Sequence, residues 1–158
     1  MTRLFLLLAR LPLSWMQRMG WCMGWVVWAL SPTYRGQFKR NVKAANVSWS
    51  QARAAVGATG VMLAELPWLW MRPHSQSLQS LIRWEGAEHL EAALTQGRGV
   101  IVMSPHIGCW EVGAQAIAER FGPRFGPLVA LFRPARKAWL EPLVTQARNR
   151  PYLETVPT

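Results

Sequence analysis

From Met1 to Ala64 the chain carries six Arg, two Lys and no acidic residue, and within it Leu4 to Leu30 is almost unbroken apolar sequence. Few folds can bury a segment of that kind. A membrane-spanning helix needs about 20 consecutive apolar residues, and Arg10 and Arg18 interrupt that length. Arg3, Arg10 and Gln17 recur every seven residues, which puts them on one narrow helical face, with Leu4, Leu7, Leu8, Leu11, Trp15 and Trp25 around the rest. The pattern predicts a helix lying in a membrane interface. Its Arg side chains snorkel to headgroups, its Trp rings sit at their level, and Pro12 divides it in two. Residues 1–33 are therefore expected to be a membrane-anchoring segment closed by Ser31-Pro32-Thr33. Tyr34 to Lys43 is then a basic helix start placing cations at anionic headgroups, with a solvated charge run as its plain alternative. A secretory signal cleaved near Val27-Trp28-Ala29 is the competing reading. The apolar run before Arg10 is too short for it, and the later run too long and aromatic.

Composition narrows the classes further. A chain of 158 residues is long enough for one core. With 51% hydrophobic and 16% charged residues it is not a solvated disordered chain. The formal net charge is +10, and fifteen of the eighteen cations are Arg. Nucleic acid is the partner that charge invites, yet no recognition motif is present and the cations are spread through an apolar segment, which favours membrane lipids. All eight acids are Glu. Without Asp, a Ser-His-Asp triad, an EF-hand loop and an Asp-held magnesium site are excluded in their usual forms. Cys22 and Cys109 make no disulfide framework, so a reducing cytoplasmic setting is the default.

Beyond the first third, periodicity organises the chain. Ser50 reads as the N-cap of a long helix through Ala52, Val56, Thr59, Leu63, Leu66 and Leu69, kinked near its end by Pro67. Leu90 to Gln96 predicts a short helix closed by Gly97, and Gly99 to Met103 a short strand. Trp110 to Phe121 returns to helical spacing, Gly126 to Phe132 to a strand, Trp139 to Ala147 to a helix, and Tyr152 to Val156 to a third strand. Strand alternating with helix predicts an α/β sheet, whose ligands sit at the carboxyl ends of strands.

Directly after the first of these strands comes Ser104-Pro105-His106-Ile107-Gly108-Cys109-Trp110-Glu111. A His in a strand-to-helix loop, with a Glu five positions on, can be a general base with an orienting carboxylate, or simply a structural His. Cys109 as a nucleophile beside His106 has no orienting group other than Glu111. Zinc held by His106, Cys109 and Glu111 lacks further ligands at suitable spacing. Ser104 lacks the Gly-x-Ser-x-Gly surround of a nucleophile elbow.

Val102 to Glu111 resembles the first motif of the bacterial lipid A biosynthesis acyltransferases, the late lauroyl and myristoyl transferases. That branch of the glycerolipid acyltransferase superfamily has Glu, often after Trp, where the wider superfamily has Asp. Phe132-Arg133-Pro134 is similar to the family's aromatic-Arg-Pro element, and Arg148 within Ala147-Arg148-Asn149-Arg150 to its Arg-x-Arg element. Upstream, the apolar basic start, Asn41 or Asn46 opening an Asn-Val segment, and Glu65-Leu66 before Pro67-Trp68 are also family-like. Together the matches cover nearly the whole chain.

The resemblance implies an activity: transfer of a fatty acyl chain from acyl carrier protein to a hydroxyl of the lipid A precursor glycolipid, at the cytoplasmic face of the bacterial inner membrane. On that reading His106 is the general base, Glu111 holds its tautomer and stabilises the imidazolium, and Arg148 stabilises an oxyanion or holds a phosphate. Arg133 and Arg150 are further substrate-binding candidates. No metal, nucleotide or other cofactor is implied. Members of the family run well beyond this length and carry a later Asp-containing motif. Residues 34–158 are accordingly expected to form a partial, incomplete acyltransferase α/β domain, with an inactive membrane-surface remnant as the alternative.

Overall fold

The computed structural model describes residues 2–133 and 140–157. They form two compact units that divide between Trp68 and Leu69. The first is helical: α1 (Thr2–Leu8), α2 (Leu13–Leu30), α3 (Pro32–Ala44), the single turn α4 (Trp49–Ala52) and α5 (Ala54–Met71). Pro12 separates α1 from α2, as expected of a residue without an N–H. Ser31 ends α2 and caps α3, its hydroxyl accepting from the Tyr34 N–H at 3.3 Å. The cap expected at Ser50 lies at Ser48 instead. There the Ser48 hydroxyl accepts from the Gln51 N–H at 3.4 Å and the Gln51 side chain accepts from the Ser48 N–H at 2.9 Å, a reciprocal capping box. Pro67 stands inside α5, which continues to Met71.

Glycines bring α2 and α5 into contact. Gly20 and Gly24 of α2 face Gly57 and Gly60 of α5 so closely that a Cβ on Gly20 would stand 2.6 Å from the Gly60 carbonyl oxygen. A Cβ on Gly60 would overlap the Gly20 oxygen outright. Small residues three or four apart, one helical turn, let helix backbones meet and exchange dispersion contacts that larger side chains would prevent. Near this crossing the first acid of the chain, Glu65, accepts from the Gln17 amide at 2.7 Å. Replacing Gly60 with Leu is therefore expected to cost at least the ~1–3 kcal/mol of ordinary overpacking, because the obstruction is backbone and cannot swing away. Gly36→Ala in α3, where only the flexible Arg40 side chain is near, is expected to be neutral or stabilising. Thermal unfolding of the detergent-solubilised chain checks both, and equal melting of Gly60→Leu and wild type would refute the crossing.

The segment expected to anchor the chain leaves much apolar surface uncovered: Leu4, Leu7, Trp15, Met23 and Leu30 are all exposed. Among the described residues, however, the one helical stretch long and apolar enough to cross a membrane is Trp49–Met71, not a stretch within 1–33. Arg18 and Gln17 dilute α2 in the way the sequence already showed.

The second unit contains a short 3₁₀ turn (Gln79–Leu81), α6 (Ala87–Thr95), α7 (Glu111–Phe125), β1 (Leu128–Phe132), α8 (Glu141–Arg148) and β2 (Leu153–Pro157). β1 and β2 are parallel, in register from Leu128 opposite Leu153 to Phe132 opposite Pro157. Parallel neighbours need a crossover, and the segment bearing α8 supplies it. The core is Leu69, Leu78, Ala116, Phe121, Leu143, Ala147 and Leu153. Helices dominate the described residues, with this small parallel sheet, consistent with an incomplete α/β fold. The expected strand Gly99 to Met103 is not formed. Those residues are irregular and outward, with Ile101 93% and Met103 92% exposed, because no ladder reaches them among the described residues. The helix expected from Trp139 begins, within the described residues, at Glu141; Trp139 itself lies outside them.

A buried charge network fixes the C-terminal end of α5 inside this unit. Arg72 donates to Glu119 Oε1 at 2.6 Å and to Gln115 Oε1 at 3.2 Å. The second Glu119 oxygen accepts from the Leu78 N–H at 2.9 Å and the Ser77 hydroxyl at 3.1 Å. Arg150 donates to the carbonyls of Leu69, Trp70 and Arg72 at 2.7–3.1 Å, satisfying acceptors that a helix end leaves open. Burial works to raise the Glu119 pKa, but the Leu78 N–H, the Arg72 N–H and charge, and the Ser77 hydroxyl outweigh it and hold the carboxyl below its ordinary value. Burial, then the Arg72 charge, lowers the Arg150 pKa. Because Glu119 ionises more readily folded than unfolded, it adds stability above the unfolded value of about 4.3, and that stability is lost as pH falls through the lower folded value. Glu119→Gln should thus melt lower at neutral pH and lose less than wild type on acidification. Parallel melting curves for the two proteins, from about pH 7 to about pH 3, would contradict the assignment.

Candidate active site

Glu111 is the first residue of α7 and Arg148 the last of α8. The acid therefore sits at the positive end of one helix dipole and the cation at the negative end of another. They meet at 2.7 Å between Arg148 Nη2 and Glu111 Oε1, with side chains 16% and 8% exposed. The guanidinium carbon lies 4.9 Å from the ring centre of Phe132, the last-but-none residue of β1, so a cation–π contact holds it from the other side. Arg148 Nη1 is buried with no hydrogen-bond partner among the described residues. Beside this pair is a cavity of about 80 Å³, lined in part by Trp110, Glu111, Gln115, Phe132, Arg148 and Thr155. It has room for a few waters or one polar group, not for a fatty chain.

His106 is exposed, on the loop leading into α7. Two tight backbone bonds shape that loop, Ile107 N–H to the Pro105 oxygen at 3.0 Å and Trp110 N–H to the Gly108 oxygen at 2.9 Å. Gly108 has φ +58°, a conformation that glycine adopts without strain. The imidazole lies against Trp110, ring centres 4.6 Å apart and tilted 49°. Among the described residues no hydrogen bond joins His106 to Glu111, and one carboxylate oxygen, Oε1, accepts from Arg148.

Of the residues singled out from sequence, the fold thus brings Glu111 and Arg148 together, while His106 stands five residues before Glu111 in the loop that precedes α7. Arg133 is exposed just past β1, while Pro134, Arg136 and Lys137 lie outside the described residues. Arg150, expected to bind substrate, is 7% exposed and donates to the main-chain carbonyls of Leu69, Trp70, Arg72 and Ala147. Sequence reasoning missed Gln115, which is buried and donates to the Ala147 carbonyl at 3.3 Å while accepting from Arg72, tying α7 to the Arg148 turn. It also passed over Trp110 and Phe132 as ring partners, although both lie within the quoted motifs. Among the described residues no three His, Cys, Asp or Glu side chains come together in a way that could hold a metal ion.

Compared with known proteins, residues 2–158 match the family model described as bacterial lipid A biosynthesis acyltransferase. No curated protein and no solved structure matches the chain.

Proposed function

Since the chain belongs to the bacterial lipid A biosynthesis acyltransferase family, and so to a class of enzymes that joins an acyl donor to a lipid A-type acceptor, we propose that it takes the acyl chain from acyl carrier protein and delivers it to a hydroxyl of the lipid A precursor in a late acylation. The Glu111–Arg148 pair at the foot of the His106 loop is the observation that carries this reading. His106 accepts the hydroxyl proton as the new ester bond forms at the thioester carbonyl. The carbon–sulfur bond then breaks, and the imidazolium returns the proton to the leaving thiolate. Glu111, through its second carboxylate oxygen, balances the imidazolium. The buried Nη1 of Arg148 donates to the oxyanion or to a phosphate of the glycolipid.

The exposed apolar faces of α1 and α2, in a unit whose only acid is Glu65, support a seat at the cytoplasmic face of the inner membrane. Exposed Arg133 beside the site supports an acidic carrier as donor. Acyl transfer is measured in detergent with acyl carrier protein and, separately, acyl coenzyme A as donors. Carrier-dependent turnover is expected to show a KM that rises with salt, because exposed charges are screened beyond about 8–10 Å at ordinary ionic strength. A salt-independent KM, or equal use of both donors, would exclude the carrier.

A further inference from the structure

We propose that the groove between α3 and the Ser48 turn binds one anionic membrane phospholipid, its phosphate held by Lys39 and Lys43 and an acyl chain lying against Trp28 and Trp49. The groove has a volume of about 580 Å³ and is lined by Trp28, Lys39, Val42, Lys43, Val47 and Trp49, a size ordinary for a small-molecule site. Local backbone rules build it. α3 ends at Ala44, and Asn46 takes the left-handed conformation at φ +52°. The Asn46 N–H donates to the Lys43 oxygen at 3.1 Å and the Val47 N–H to the Val42 oxygen at 3.3 Å. This is a Schellman ending, which characteristically brings the side chains of those two valine positions together. The chain then turns back through the Ser48 capping box and presents Trp49.

Aromatic rings form the wall. Trp49 lies 5.5 Å from Trp28 and 6.1 Å, edge on, from Phe38, and Trp28 is 5.9 Å from Trp25. Indole rings beside cations are what the headgroup level of a bilayer favours. Charge identifies the occupant. Arg35 is engaged over the Trp28 ring and donates to the Ala29 carbonyl at 2.9 Å, and Arg40 donates to Gln37 at 2.6 Å. Lys39 and Lys43 are exposed, lie one helical turn apart on the same face, and have no ion-pair or hydrogen-bond partner among the described residues. An apolar trough ending in two uncommitted ammonium groups matches a lipid with an anionic headgroup better than a zwitterionic one. The inference is independent of the acyl-transfer reading, since none of these residues belongs to the His106 site.

The test is native mass spectrometry of the detergent-solubilised full chain, with dioleoyl phosphatidylglycerol and dioleoyl phosphatidylcholine added in turn. One phosphatidylglycerol per chain is expected to be retained about 30-fold more strongly than phosphatidylcholine, the factor two lysines near a surface phosphate supply. Lys39→Gln/Lys43→Gln should erase most of that preference, and Lys39→Arg/Lys43→Arg should keep it, with helix content unchanged in both. Equal retention of the two lipids by wild type, or undiminished phosphatidylglycerol binding in Lys39→Gln/Lys43→Gln, would overturn the proposal. So would displacement of the lipid by millimolar inorganic phosphate, which would mark the groove as a small-anion site.

Discussion

His106→Ala is expected to lower acyl transfer by about 10² to 10⁴, the usual worth of general-base assistance, while leaving the protein folded. The size follows from the acceptor: a fatty-chain hydroxyl is a poor nucleophile until a base takes its proton as the new bond forms. The fold is spared because His106 is exposed and its ring contact among the described residues is a tilted one with Trp110. A change that removes an interaction made only in the transition state lowers kcat and kcat/KM together, so KM should be nearly unchanged. Cys109→Ser is the companion variant. It should retain most activity if no thioester forms on the protein, and loss of all activity would point to a covalent route through the thiol.

Arg148→Ala carries the second large effect, in stability as well as in rate. Its guanidinium is 16% exposed and is the partner of a Glu111 carboxylate that is 8% exposed. Removing it leaves a buried anion without its cation, and breaking such a pair typically costs about 3–5 kcal/mol. Turnover should fall as well, by about 10² to 10³ if Nη1 donates to the oxyanion. Arg148→Ala/Glu111→Gln separates the two losses. Deleting both charges should recover much of the stability, since no uncompensated ion remains, and should recover none of the activity. A double variant as unstable as Arg148→Ala would show that the lost stability came from packing against Phe132 and not from charge.

Much of this arrangement is visible in residue order, and what is not has physical causes. β1, β2, α7 and α8 follow their hydrophobic periods because each has one face against a common core. Val100 to Met103 has the same strand composition but no backbone partner among the described residues, and a strand exists only in a ladder. The Gly20 and Gly24 spacing is plain in the sequence. It went unread because glycine within a helix ordinarily signals lost stability, and only an approaching backbone reverses that meaning. At the site, residue order, read with the family resemblance, singled out Glu111 and Arg148 as candidates. It could not reveal that Arg148 rests on Phe132, or that Arg150, two residues later, turns inward to close α5. Two arginines of one short motif have opposite fates because α8 ends between them, and side-chain direction changes where a helix stops.

The most direct measurement is a double-mutant cycle on acyl transfer to the lipid A precursor, with His106→Ala, Glu111→Gln and the double variant assayed as folded protein. If the two residues work as one unit, the double variant is scarcely slower than His106→Ala alone, because a carboxylate has no catalytic purpose once its base is gone. Losses that multiply would mean that Glu111 acts only by holding Arg148, and near-normal turnover in His106→Ala would remove the base from the mechanism altogether.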